Sequence, residues 1–323
     1  MSIRLGSQPQ FPIRKLSGGI TAPWVRPADW PALPAVVPTE QKFVGLIAVQ
    51  DTTSEYLSLL FQGAYTVDWG DGTALENVAT NTKASHSYTY ATLSSAVTSR
   101  GYKTVVITIT PQSGQNLTLI NLQQKHASSG SAAVYSQWLD ITISAPYCTS
   151  VTIGGVTVIA ALLERCNIIA IGPITDGTSF FQYCYSLQSV PLFNLSAMTN
   201  GTNFFYACSS LQLVPLFNLS AMTNGTCFFF YCSSIQSVPA LNFAAVTVAD
   251  AIFSSTGNLA RSLITGFGIN HSYANCNLSA TALNEIFANL PSVSSKTITI
   301  TGNPGAATCA QSIATNKGWT VTN

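Results

Sequence analysis

The chain has 323 residues, enough for two domains or for one domain and a repeat array. Only 8% of them are charged and the formal net charge is +1, which removes any general electrostatic case for nucleic-acid binding. No apolar run reaches the length of about 18 residues that a membrane-spanning helix needs, so no membrane partner is expected.

Ordinary soluble domains carry about 25% charged residues. The surface of this chain must therefore be built mainly from Ser, Thr, Asn, Gln and Tyr. Residues 1–40 hold seven of the fifteen prolines. Each proline fixes its own φ and disfavours helix in the residue before it, which predicts an extended arm. Arg4, Arg14, Lys15 and Arg26 all precede the first acidic residue, Asp29. Phe11, Trp24 and Trp30 add apolar anchors, so these seven residues are expected to fasten the arm to an acidic partner surface. The alternative is a leader without fixed structure, against which the aromatic content weighs. The first twenty residues lack the apolar core of a secretory signal. The expectation is a protein released by lysis as part of a virus particle, or one already processed.

From Gln41 the pattern becomes strand-like: KFVGLIAVQ, YLSLLF, AYTVDWGDG, SHSYTY and GYKTVVITIT, separated by turn residues. Gly72 suits a turn with positive φ, and Trp69 is expected to pack between two sheets. YTVDWGDGT, HSYTY and GYKTVVITIT resemble the WxFGDG, HxY and GxYxVxLTV elements of the PKD domain, an immunoglobulin-like sandwich that serves as spacer or interaction module. The resemblance spans about residues 42–111, NLTLINLQ adds a last strand, and the domain is set at 41–126. Asp68 and Asp71 are weak candidates for calcium, a cation that takes oxygen ligands. Two carboxylates are few for such a site, and capping of the turn through side chain to backbone bonds is the simpler reading.

After the linker HASSGSAA, a 24-residue unit is written three times from Ser179 to Asp250, its first two copies agreeing at 19 of 24 positions. A period of this length marks a solenoid whose coils share their cores. Cys148, Cys166, Cys184, Cys208 and Cys232 follow one another at 18, 18, 24 and 24 residues, which predicts five coils with a ladder of buried thiols, the first two lacking six residues in a loop. Each coil is expected to hold a short strand of the type SSLQLVP, and FFYAC a return leg of one helical turn. CxxLxxVP preceded by FFxxC resembles the BspA-type leucine-rich repeat over about residues 138–323. The tail predicts an amphipathic helix at Leu278–Leu290, the strand TITIT, and a second helix from Cys309 to Lys317 ending at Gly318. This is a cap of about residues 276–323.

The fold class expected is thus mainly β with some α: an immunoglobulin-like β-sandwich followed by a leucine-rich-repeat solenoid (127–323) with a C-terminal capping unit. From Gly177 to Ala249 there is no Asp, Glu, Lys, Arg or His. General acid–base chemistry needs a titratable group, so no catalytic residue, cofactor or metal is assigned. The PKD-like and BspA-like resemblances imply a bacteriophage structural protein on the virion surface, a capsid decoration or fibre. Its arm would hold other virion proteins of capsid or tail, in multiple copies or as a homo-oligomer, and its solenoid would meet a host-surface glycan or protein. The alternative is an adhesin of the bacterial cell surface.

Overall fold

The computed structural model describes residues 24–51, 55–129, 132 and 134–323. Arg4, Phe11, Arg14 and Lys15 lie outside them. The fold is mainly β, two facing sheets followed by stacked coils.

Seven strands come first: β1 (Lys42–Val49), β2 (Glu55–Gln62), β3 (Tyr65–Asp68), β4 (Glu76–Val78), β5 (Lys83–Tyr88), β6 (Lys103–Pro111) and β7 (Leu119–Asn121). Five more follow: β8 (Val134–Tyr135), β9 (Trp138–Ala145), β10 (Ser150–Thr152), β11 (Val158–Ile159) and β12 (Arg165–Ile171). One sheet has the order β12-β9-β1-β6-β3-β4 and the other β10-β7-β2-β5, while β8 and β11 pair alone. Phe43, Ile47, Phe61, Trp69, Ile107 and Trp138 fill the core between the two sheets. The side chains of a strand alternate between its faces, yet β1 is buried almost end to end. The reason is a strap: Trp30, with Trp24 and Leu33 beside it, covers Leu46, Ala48, Tyr102 and Leu139 on the outer face. Burying a large apolar side chain stabilises by about 1.5–3 kcal/mol, so the strap belongs to the fold.

The boundary placed at residue 126 divides the sequence but not the sheets. β9 pairs antiparallel with β1 on one side and parallel with β12 on the other. β10 continues the second sheet by pairing parallel with β7. Both sheets therefore run on into the coils, and one apolar core extends from Phe43 to Trp319.

The coils stack in parallel. Single bridges link Arg165 to Ser189 and Ser189 to Leu213, and a second row links Asp176, Asn200, Asn224 and Val248. β13 (Ser237–Val238) pairs with β14 (Arg261–Ser262) in the first row. The expected strands are thus present in direction but shortened to a bridge or two residues. Pro191, Pro215 and Pro239 follow at once and cannot donate to a ladder.

The FFxxC leg is not helical. It runs through turns with two left-handed residues per coil: Ser179 and Tyr183, Asn203 and Ala207, Cys227 and Tyr231, Ala251 and Ser255. Between them Phe181 N–H donates to Phe204 O at 2.9 Å and Phe205 N–H to Phe228 O at 3.0 Å, so bonds to the next coil alternate with turn bonds along the leg such as Cys208 N–H to Phe205 O at 3.0 Å. The second phenylalanine builds a stacked column, Phe181–Phe205–Phe229–Phe253–Tyr273, with centroids 4.7–5.8 Å apart.

The cap comprises β15 (His271–Ser272), α1 (Ala280–Asn289), β16 (Lys296–Thr299), α2 (Ser312–Thr315) and β17 (Trp319–Thr322). Ser279 Oγ accepts from Ala282 N–H to start α1. Lys317 Nζ donates to the carbonyls of Phe287, Ala288 and Leu290 at its end, where a cation suits the helix dipole. The second predicted helix is only four residues long; Gly318 then turns the chain with φ 85° into β17.

Candidate functional site

Charged side chains are scarce, and several of them meet where the strap crosses from the sheets to the first coil. Arg26 Nε donates to Asp140 Oδ2 at 2.9 Å, and Arg165 Nη1 lies 3.4 Å from Asp140 Oδ1. The Asp140 side chain is fully buried. Burial pushes its carboxyl above the usual carboxylate range, against the opposing pull of the Arg26 and Arg165 guanidiniums. Arg100 and Trp24 Nε1 both donate to Glu164. Trp30 Nε1 donates to Tyr102 Oη at 3.2 Å, and the Arg26 and Arg100 guanidiniums lie over the Trp30 ring. Three of the seven predicted attachment residues, Trp24, Arg26 and Trp30, are thus engaged within the chain itself.

Beside this cluster the strap stands above the solenoid and leaves a groove of about 310 Å³ between Trp24 and the coil edges at Gln188 and Gln212. The sequence carries two signals for it, the tryptophan in the arm and the glutamine repeated at the same position of each unit. Their proximity depends on the docking of the strap, which no local pattern encodes.

No family model, curated protein or solved structure matches this chain. Its chemistry therefore has to be read from the residues in place. In the turn after β3, Asp68 Oδ1 accepts from Gly70 N–H and Asp71 Oδ1 from Thr73 N–H and Oγ1. Asp71 Oδ2 lies 2.7 Å from His86 Nε2, whose ring stacks on Trp69. Burial raises the Asp71 carboxyl, but the bonds from Thr73 and His86 outweigh this and hold it below the ordinary range. Both carboxylates thus bind their own turn and neighbours. Among the described residues no three of His, Cys, Asp and Glu gather where a metal ion could sit.

The five cysteines of the predicted ladder are all buried. Cys184, Cys208 and Cys232 occupy one position, and the Cys208 and Cys232 thiols donate to Phe181 O and Phe205 O of the preceding coil at 3.1 and 3.0 Å. Cys148 and Cys166 are out of this register. Arg165 bridges to Ser189, which sets Cys166 opposite Val190, and the 18-residue spacings are not shorter coils. A cysteine behaves as a small apolar residue at any inward position, so its spacing reports burial rather than register. Burial lifts the Cys148 thiol to about 12 and the other four further above their ordinary range or in the same direction. These groups are poor nucleophiles.

Proposed function

We propose that this chain is a non-enzymatic structural protein of a phage particle, a capsid decoration or fibre component that presents its solenoid outward. The two-sheet unit is read as a PKD-like, immunoglobulin-like sandwich and the coils as a BspA-like leucine-rich-repeat solenoid. The observation that carries the proposal is the strap. Its residues from Trp24 onward are pinned to the sheets and to the first coil, so whatever precedes Trp24 starts from a fixed point on a body with one continuous core. Attachment then falls to Arg4, Phe11, Arg14 and Lys15, while Trp24, Arg26 and Trp30 hold the root of the arm. The uncharged run from Gly177 to Ala249 supports a surface for contact and not for catalysis.

Co-sedimentation with virions tests this. The full chain is expected to pellet with particles, and a chain lacking residues 1–23 to keep its melting temperature but remain in the supernatant. Continued pelleting of the shortened chain overturns the arm as tether. The alternative, a bacterial cell-surface adhesin, draws on the same groove beside Trp24 and predicts that the protein fractionates with the cell envelope.

A further inference from the structure

The solenoid face beside the strap repeats an amide. Gln188, Gln212 and Gln236 follow Glu164 at steps of 24 residues, and the backbone locks the two that line the groove side by side: Gln212 N–H donates to Gln188 O at 2.9 Å. Parallel pairing spaces such rows by about 4.8 Å. At one end of the row stands Trp24, half-buried, its indole N–H fixed on Glu164 and its ring beneath the Arg165 guanidinium. The wall of the groove is therefore an oriented aromatic ring, and its floor is a ladder of amides with Ser189 and Leu213 between them.

The carboxylates at this end are spent within the protein: Glu164 is paired with Arg100, and the buried Asp140 is shared by Arg26 and Arg165. The groove offers a ligand an aromatic ring and uncharged hydrogen-bonding side chains, with the Arg165 guanidinium held over the ring. We propose that it binds a neutral, extended glycan, the ring packing against the apolar face of one sugar and the amides bonding hydroxyls of the next residues along the coil edges. A peptide strand fits less well. The backbone groups at the bridges Arg165–Ser189–Leu213 are already used between coils, leaving no open edge for strand addition. The inference rests on the reading of the solenoid as the outward-facing part of the protein.

Trp24 also supplies the readout. Of the five tryptophans, Trp30, Trp69, Trp138 and Trp319 are buried, which leaves Trp24 as the half-buried one. The full chain is titrated with neutral oligosaccharides (maltohexaose, cellohexaose, chitohexaose and a mannohexaose), with heparin hexasaccharide as the charged comparison, following tryptophan fluorescence and calorimetric heat. At least one neutral oligosaccharide is expected to bind and to change the fluorescence. Trp24→Ala should abolish the fluorescence change, and Gln188→Ala, altered only in a partly exposed polar side chain, should bind about tenfold more weakly while melting as the parent does. Binding by none of the neutral probes, binding of heparin alone, or binding indifferent to both variants overturns the proposal. Binding that emerges only when residues 1–23 are removed also overturns it, by assigning the groove to the chain's own N-terminus. Co-sedimentation with virions is read separately, so a failed glycan titration leaves the particle assignment standing.

Discussion

Phe43 and Ile143 stand opposite each other in an antiparallel ladder, and Ile143 pairs in parallel with Ile168 on its other side. One strand thus closes the two-sheet unit and opens the solenoid. A stack of coils normally needs a separate cover for its first open face; here the sheets provide it, and the cap from β15 to β17 covers the far end.

Arg26→Met should destabilise the chain by about 2–4 kcal/mol at neutral pH, because it leaves a buried carboxylate with Arg165 as its remaining partner. The Asp140 carboxyl is already raised by burial. A raised group gives its full contribution below its unfolded pKa and loses it as pH rises through the folded one. The deficit of the variant should therefore be greatest at pH 7 and shrink toward pH 4 and below, as protonation removes the buried charge. Urea unfolding of both proteins across this range checks it, and a deficit independent of pH contradicts it.

His271 is expected to make the cap acid-sensitive. Its ring is buried against Phe267 and Trp319, its Nδ1–H donates to Ile269 O at 2.7 Å, and burial lowers its pKa to about 4. A depressed histidine stabilises fully above its unfolded pKa of about 6.5, and that contribution is lost as pH falls toward 4. The loss amounts to about 3 kcal/mol between these limits. His271→Phe should flatten this part of the stability profile, which thermal melts from pH 7 to pH 4 would record.

Thiol titration should divide the cysteines by burial. Cys227 and Cys309 are partly exposed and the other six are buried. A disulfide reagent is expected to modify two thiols in the native protein and all eight in denaturant. Rapid native modification of Cys184, Cys208 or Cys232, mapped by mass spectrometry, contradicts the closed stack.

Two substitutions at the corners should move stability in opposite directions. Ala251 is exposed and left-handed, with φ 53°. Ala251→Gly removes that strain and should stabilise by about 0.5–1 kcal/mol. A Cβ at Gly201 would lie 2.8 Å from Met222 Sδ and from carbons of the Phe228 ring. Gly201→Ala should therefore cost about 1–3 kcal/mol, since the stacked ring has little room to yield. Denaturant midpoints read both.

Much of the architecture is written in local pattern. The alternation of Val105, Ile107 and Ile109 in β6, the repeat of Phe204 and Phe205, and the amphipathic run that becomes α1 all follow from periods that a strand, a coil or a helix imposes. The return leg was not legible, because left-handed residues at Ser179 or Ala251 carry no glycine to announce them. Nor was the register of Cys166, which hydrogen bonds between coils decide. The groove was half legible: the glutamine row is in the repeat, but Trp24 is held beside it by contacts with Glu164 and Arg165, 140 and 141 residues away.

The order of the chain gives the shared strand a temporal meaning. β1 to β7 leave the ribosome before any coil exists, and chains fold from the N-terminal side as they are made. The first coil is then delivered to a finished edge, and each later coil to the one before it. Assembly can advance in one direction without a solenoid nucleus of its own, and the nascent array exposes only its newest apolar face to the cell.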